Sequence, residues 1–290
     1  MQRVPTIVVG VLMFVLLTAG NCSRARVESL NRMNEGVVLA QQKRTEEAAA
    51  AMENATVLDP TNEQAFYNLA LVHMEMKSFN RAKEDLQRAI SLNANVAGYY
   101  EKLGTVLMEL KDWPGAKAAF EGSIEHDPKL FKAYYKLAQV YEEMDDAQNA
   151  LAQYTKAIEM GPRFLEAYAQ LGRLYANLGY PDNAAQVLRS ALEVAHPGSD
   201  EQADVHHLLG TVYQQQGNYD QAVAEFKAAL EIKPGMPDAL FSLGWTYALK
   251  GDVEEAKRFL KKYIEVAGPK APEHYQKAAR DRLTELEQGL

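Results

Sequence analysis

Leu171-Gly172-Arg173-Leu174-Tyr175 and Leu243-Gly244-Trp245-Thr246-Tyr247 set the register of this chain. Both strings occupy the same place in a 34-residue period that recurs through most of the 290 residues. A fixed period of that size marks a stack of small units, none of which buries its apolar face alone. Seven blocks follow, at 29–62, 63–96, 97–130, 131–164, 165–198, 203–236 and 237–270. One insertion, Ser199 to Gln202, interrupts them.

The matches between blocks have a physical cause. Position eight holds Gly36, Ala70, Gly104, Ala138, Gly172, Gly210 and Gly244, and position twenty is Ala throughout, from Ala48 to Ala256. Each block reads as two short helices joined by a tight turn, and small residues at these positions let the two backbones approach closely. Position seven is Leu in every block but the first, and position twenty-four is large and apolar, as in Met52, Leu86, Phe120, Tyr154, Leu188, Phe226 and Leu260. These residues fill the space around the contact. Pro60, Pro128, Pro162 and Pro234 close four blocks, because Pro lacks an N–H and restrains the residue before it. Gly179, Gly217 and Gly251 are expected in the turns, where positive φ is cheap for Gly.

On these residues the chain resembles the tetratricopeptide-repeat (TPR) family over about residues 29 to 270. The resemblance implies an all-α fold, a right-handed superhelical solenoid of seven helix-turn-helix repeats plus a C-terminal capping helix. The first block is degenerate, with Arg32 and Glu35 at core positions four and seven, which suits a solvated end. Residues 271–290 are expected to cap the other end. Pro272 can open that helix, and Tyr275, Ala278, Ala279, Leu283 and Leu286 share one of its sides.

The N-terminus is a separate object. Val4 to Gly20 is an uncharged apolar run, followed by Asn21 and the chain's one cysteine, Cys22. Residues 1–21 read as an export signal. Leu17 to Ser23 resembles a bacterial lipobox, which makes Cys22 the lipidated first residue and 22–28 a short tether. The pattern departs at Asn21, where the family carries a small residue. Ordinary cleavage after Gly20, or an uncleaved anchor, are the other readings. A single cysteine excludes a disulfide framework and a thiolate zinc site. The net charge of −8 argues against nucleic acid, whose affinity comes from Lys and Arg on phosphates.

No phosphate loop, dinucleotide fingerprint, nucleophile elbow or zinc-protease helix motif occurs. His206 and His207 are adjacent, so on a helix they point about 100° apart and do not share a metal simply. Glu142, Glu143, Asp145 and Asp146 read as a solvated face. The chain is therefore expected to be no enzyme, with no cofactor and no small-molecule substrate.

In the family, the first helix of each block lines a concave groove through positions two, five, six, nine, twelve and thirteen. Carried over, these positions give Asn34, Tyr67, Asn68, Leu71 and Met74 in the N-terminal part. The middle offers Lys102, Met108, Lys132, Tyr135, Lys136, Gln139 and Arg173, a basic stripe suited to acidic side chains or a carboxylate. Leu208, Phe241, Trp245 and Leu249 follow at the C-terminal end. Phe241, Trp245 and Leu249 recur every four residues, which suits either binding anchors or packing against the preceding block or under the cap. The family's carboxylate clamp needs Lys at position five and Asn at position nine, and no block has either. The inserted Ser199–Gln202 reads as a lengthened loop.

Solenoid and signal together resemble bacterial outer-membrane TPR lipoproteins of the type IV pilus pilotin class. The expected role is a protein-binding scaffold, lipid-anchored on the periplasmic face of the outer membrane, that assists a pilus secretin or motility apparatus. Ser23 rather than Asp after the cysteine points to the outer membrane. An adaptor for peptidoglycan synthases or hydrolases is the second reading.

Overall fold

The computed structural model describes residues 7–268 and 272–289, with side chains from Arg24 onward. Among the described residues the regular structure is helical, with no strand. The helices are α1 (Ile7–Gln41), α2 (Thr45–Leu58), α3 (Glu63–Glu75), α4 (Phe79–Leu92), α5 (Ala97–Glu109), α6 (Trp113–His126), α7 (Phe131–Glu143), α8 (Ala147–Met160), α9 (Leu165–Asn177), α10 (Pro181–Val194), α11 (Asp200–Gln215), α12 (Tyr219–Ile232), α13 (Pro237–Lys250), α14 (Val253–Ala267) and α15 (Glu273–Gln288). They form two compact units, Met1–Asp146 and Ala147–Leu290.

Local chemistry places the helix ends. The side chains of Asn62, Asp112 and Ser199 accept hydrogen bonds from the backbone N–H three residues on, capping α3, α6 and α11. α2, α6, α8 and α12 each stop two residues before Pro60, Pro128, Pro162 and Pro234. Gly179, Gly217 and Gly251 have φ of 81°, 76° and 83°. In the other four repeats Lys43, Lys77, Lys111 and Asp145 take the same left-handed turn.

In the first unit α1 packs on α2, α3 on α4 and α5 on α6, and each pair packs on the next first helix. The position-eight residues lie at these contacts. A Cβ on Gly104 would stand 2.7 Å from Phe120 Cζ, and one on Gly36 2.6 Å from Met52 Cγ. Ala70, Ala82, Leu86 and Val106 are fully buried at the centre of the stack. The first helix remains wet. Arg32 pairs with Glu28 at 3.5 Å and Glu35 at 3.0 Å, all largely exposed. Ser29 is its buried clasp, donating to the Ala55 carbonyl at 2.8 Å and accepting from Asn62 Nδ2 at 3.2 Å.

In the second unit α9–α10, α11–α12 and α13–α14 pack in the same way, and α11 also meets the first helices on either side, α9 and α13. Phe226 and Leu260 are fully buried against Gly210 and Gly244. α15 packs on α14, burying Ala279, Leu283 and Leu286. That is the apolar side expected of a cap, although Tyr275 remains 45% exposed at its edge.

Two expectations change. The inserted Ser199–Gln202 is not a loop. Ser199 caps α11, and the inserted residues after it form an extra turn, giving a 16-residue helix where α9 has 13. Residues 22–28, expected as a short tether, lie within α1, which runs unbroken from Ile7 into the first repeat. The side chains of the export segment 1–21 and of Cys22 lie outside the described residues. Among the described residues no helix is long and apolar enough to cross a membrane.

Candidate protein-binding surface

Helical spacing puts positions two, five, six and nine on one side of each first helix, and the structure shows what that side carries in each unit. In the first unit Asn34 is exposed on α1, and Tyr67, Asn68, Leu71 and Met74 are half-buried on α3. Tyr67 packs against Tyr99 of α5 at a tilt of 34°, with ring centroids 4.9 Å apart. Burial raises the Tyr67 hydroxyl pKa, against the pull of the Lys102 ammonium nearby. Met108 is half-buried one turn and a half beyond Lys102 on α5.

The basic character of this surface is partly neutralised. Lys102 Nζ lies 3.4 Å from Glu101. On α7, Lys136 donates to Gln139 Oε1 at 3.1 Å and sits over the Tyr135 ring, while Gln139 Nε2 donates to the Tyr135 hydroxyl at 3.2 Å. Tyr135, Lys136 and Gln139 are thus one linked group. Lys132 is exposed one turn earlier. Arg173, expected in the same stripe, is exposed on α9 of the second unit. There it acts on His207, as do Asp204 and Asp238. The first helices of the second unit therefore carry both signs of charge near His207, Arg173 on α9 and Asp204 and Asp238 on α11 and α13.

Leu208 on α11 packs partly buried against the main core. On α13 Phe241 stacks on Trp245 at 5.7 Å, and meets Tyr263 of α14 and Tyr275 of α15 edge-on, each at 5.3 Å. Phe241 therefore does lie under the cap, but an open pocket of about 470 Å³ remains among His207, Asp238, Phe241, Ser242, Tyr263 and Tyr275. A second pocket of about 280 Å³ lies between Trp245, Ala248 and Leu249 of α13 and Arg282 and Glu285 of α15. Leu249 is 46% exposed beside it.

The histidines have structural partners. His73 is 3% exposed, with Nδ1 2.7 Å from Asp85 Oδ2 on the second helix of its repeat. Burial raises the Asp85 carboxyl pKa, and the His73 contact opposes that rise. His206 Nδ1 lies 2.7 Å from Glu225 in the same relation. Each pair ties α3 to α4 or α11 to α12. Asp85 and Glu225 share block position twenty-three, a signal the sequence carried unread. His207 Nε2 lies 3.2 Å from Ser242 Oγ, and burial lowers its pKa. Among the described residues no group of three or more His, Cys, Asp or Glu side chains is placed to hold a metal ion.

Three family models of the tetratricopeptide repeat match the chain, over 63–96 with 131–163, over 163–235 and over 213–280. Together they cover more than half of it. Among solved structures, MamA is 28% identical, with TM-score 0.53, across 55% of this chain and 93% of that one. YrrB, described as a TPR protein with an unusual peptide-binding site, is 26% identical, with TM-score 0.53, across 69% and 99%. PilF of Pseudomonas aeruginosa aligns with TM-score 0.58 across 75% and 96%, and at 17% identity shows the fold alone. No curated protein matches the sequence.

Proposed function

The chain belongs to the tetratricopeptide-repeat family, and on that footing we propose that it is a non-catalytic scaffold that holds other proteins of the bacterial envelope. Its first helices do the holding. The observation that carries this reading is the row of half-buried aromatic and apolar side chains on those helices, Tyr67, Leu71 and Met74 in one unit and Phe241 and Trp245 in the other. Rigid aromatic side chains left partly uncovered are the usual anchors of protein recognition. A peptide-binding site in YrrB, over most of whose length the chain aligns, is in keeping with it.

The address comes from the N-terminus. Cys22 is the lipidated residue, and the protein stands on the periplasmic face of the outer membrane. The lone cysteine two residues after an apolar run, with Ser23 next, supports this. Several acyl chains on one cysteine hold a protein stably where a single chain does not. The machine served is an envelope assembly of the type IV pilus secretin or surface-motility kind.

Capture from crosslinked envelopes tests the role. Recovery of a secretin with pilus or motility components is the expected result. Recovery of peptidoglycan synthases or hydrolases instead assigns the adaptor role and overturns the pilus reading. Mass spectrometry of the mature N-terminus tests the address. An acylated Cys22, and release or failed processing of Cys22→Ala, are expected, and an unmodified terminus at Asn21 rejects the anchor.

A further inference from the structure

The pocket between α11, α13, α14 and α15 has a chemistry of its own. Three aromatic rings bound it. Tyr263, 3% exposed, is the back wall, Tyr275, 45% exposed, is the outer wall, and Phe241 joins both at 5.3 Å, with interplanar angles of 63° and 70°. In each edge-to-face pair the rim of one ring meets the face of the other, and together the three rings line one corner. Exposed Asp238 stands at the mouth, three residues before Phe241 on α13. Its charge is felt at both Tyr263 and His207. Asp204, at the equivalent position of α11, also acts on His207. Arg173 is the one cation that His207 senses there. An aromatic-lined corner beside a carboxylate takes the aliphatic stem and the charge of a cation and disfavours an anion.

The second pocket adds spacing. Phe241 and Leu249 are eight residues apart on α13, or about 12 Å along a helix. An extended chain covers that in about four residues. The second pocket is walled by Trp245, Ala248 and Leu249 of α13, with the Arg282–Glu285 ion pair, 2.8 Å, across it on α15.

We infer that the second unit binds a basic protein segment, placing an Arg or Lys side chain in the Tyr263–Phe241–Tyr275 corner against Asp238, with an apolar side chain three to four residues away in the Trp245–Leu249 pocket. This deepens the scaffold reading, resting on it for a protein as occupant. It sets the sign of the recognised charge opposite to that expected for Lys132 and Lys136 of the first unit.

Short fluorescein-labelled Gly-Ser peptides, carrying one Arg and one Leu with two or three residues between them, probe this on the full chain by fluorescence anisotropy. The Arg peptide is expected to bind saturably. Replacing its Arg with norleucine, which keeps the aliphatic stem and removes the charge, should weaken it about tenfold, the size of one partly desolvated cation–π contact with its ion pair. Asp238→Asn and Tyr275→Leu should each weaken the Arg peptide with helicity unchanged. Glu254→Gln, on exposed α14 surface, should leave it as it was. Equal binding of the norleucine peptide, preference for a Glu peptide, or indifference to both variants overturns the assignment. Displacement of the Arg peptide by tetramethylammonium at concentrations below the peptide's own Kd makes the occupant a free small cation and overturns the peptide reading. Failure of the scaffold role is separate. An envelope partner captured equally well by Asp238→Asn and Tyr275→Leu leaves the scaffold standing and removes this pocket from it.

Discussion

Gly172 and Leu188 face each other across the two helices of the fifth repeat so closely that a Cβ on Gly172 would stand 2.8 Å from Leu188 Cγ. Leu188 is 1% exposed and has nowhere to retreat. Gly172→Leu should therefore overpack the pair and cost about 1–3 kcal/mol or more. Chemical denaturation followed by circular dichroism measures this. A wild-type midpoint for the variant would mean that position eight is not the helix contact.

The seven turns make a second prediction. Block position fifteen has positive φ in every repeat, but only three repeats place Gly there. Lys77, at φ 56°, holds a conformation that costs a side-chain-bearing residue about 1 kcal/mol. Its side chain is exposed. Lys77→Gly should then be neutral to stabilising, by up to about 1 kcal/mol after the flexibility Gly adds to the unfolded chain. A fall of several degrees in Tm would show that the strain is not there to relieve.

These two sites mark what the sequence could and could not tell. Small residues at a helix crossing are needed whichever large residue faces them, so Gly172 and Ala184 announced the packing from the period alone. Lys77 announced nothing, because Lys is no turn signal and its conformation is imposed by the helices it joins. The insertion looked like a loop because Pro197-Gly198 precedes it, and the capping by Ser199 turned it into helix instead. Asp238, Tyr263 and Tyr275 lie on α13, α14 and α15, and no spacing rule links residues that only tertiary packing assembles. The groove positions placed Phe241 and Trp245 on a first helix, and missed the walls that other helices bring to them.

His207 predicts a pH dependence. Burial is the main cause of its lowered pKa, with Arg173 adding to the effect and Asp238 and Asp204 opposing it. The native state therefore prefers the neutral ring more than the unfolded chain does. The stability this contributes is whole above the unfolded value of about 6.5. It is lost as pH falls from there through the lower folded value. His207→Gln removes the titration while keeping a polar partner for Ser242. Between pH 7.5 and 5.5 the wild type should lose more Tm than the variant. Parallel curves would show that His207 titrates alike in both states.

The last prediction concerns which side of the repeats holds the partner. Lys132 and Lys136 lie on the first-helix face of the first unit, and Trp245 on that of the second. Charges at a rim govern encounter and salt dependence, whereas aromatic anchors govern residence. Lys132→Glu with Lys136→Glu should therefore weaken capture of an envelope partner by the first unit most at low salt, where screening is least. Trp245→Ala should weaken capture by the second unit at all salt concentrations, by about 2 kcal/mol if it is a true anchor. The matched control reverses charge on second helices. Lys117 of α6 pairs with Glu121 at 3.8 Å and Lys156 of α8 with Glu159 at 2.7 Å. Exposed pairs such as Lys156–Glu159 contribute little to stability. Lys117 also lies over the Tyr141 ring, so Lys117→Glu should cost some stability, but both Lys117→Glu and Lys156→Glu should bind as the wild type does. Loss of the partner in that control, with capture intact in the first-helix variants, would move the binding surface to the second helices.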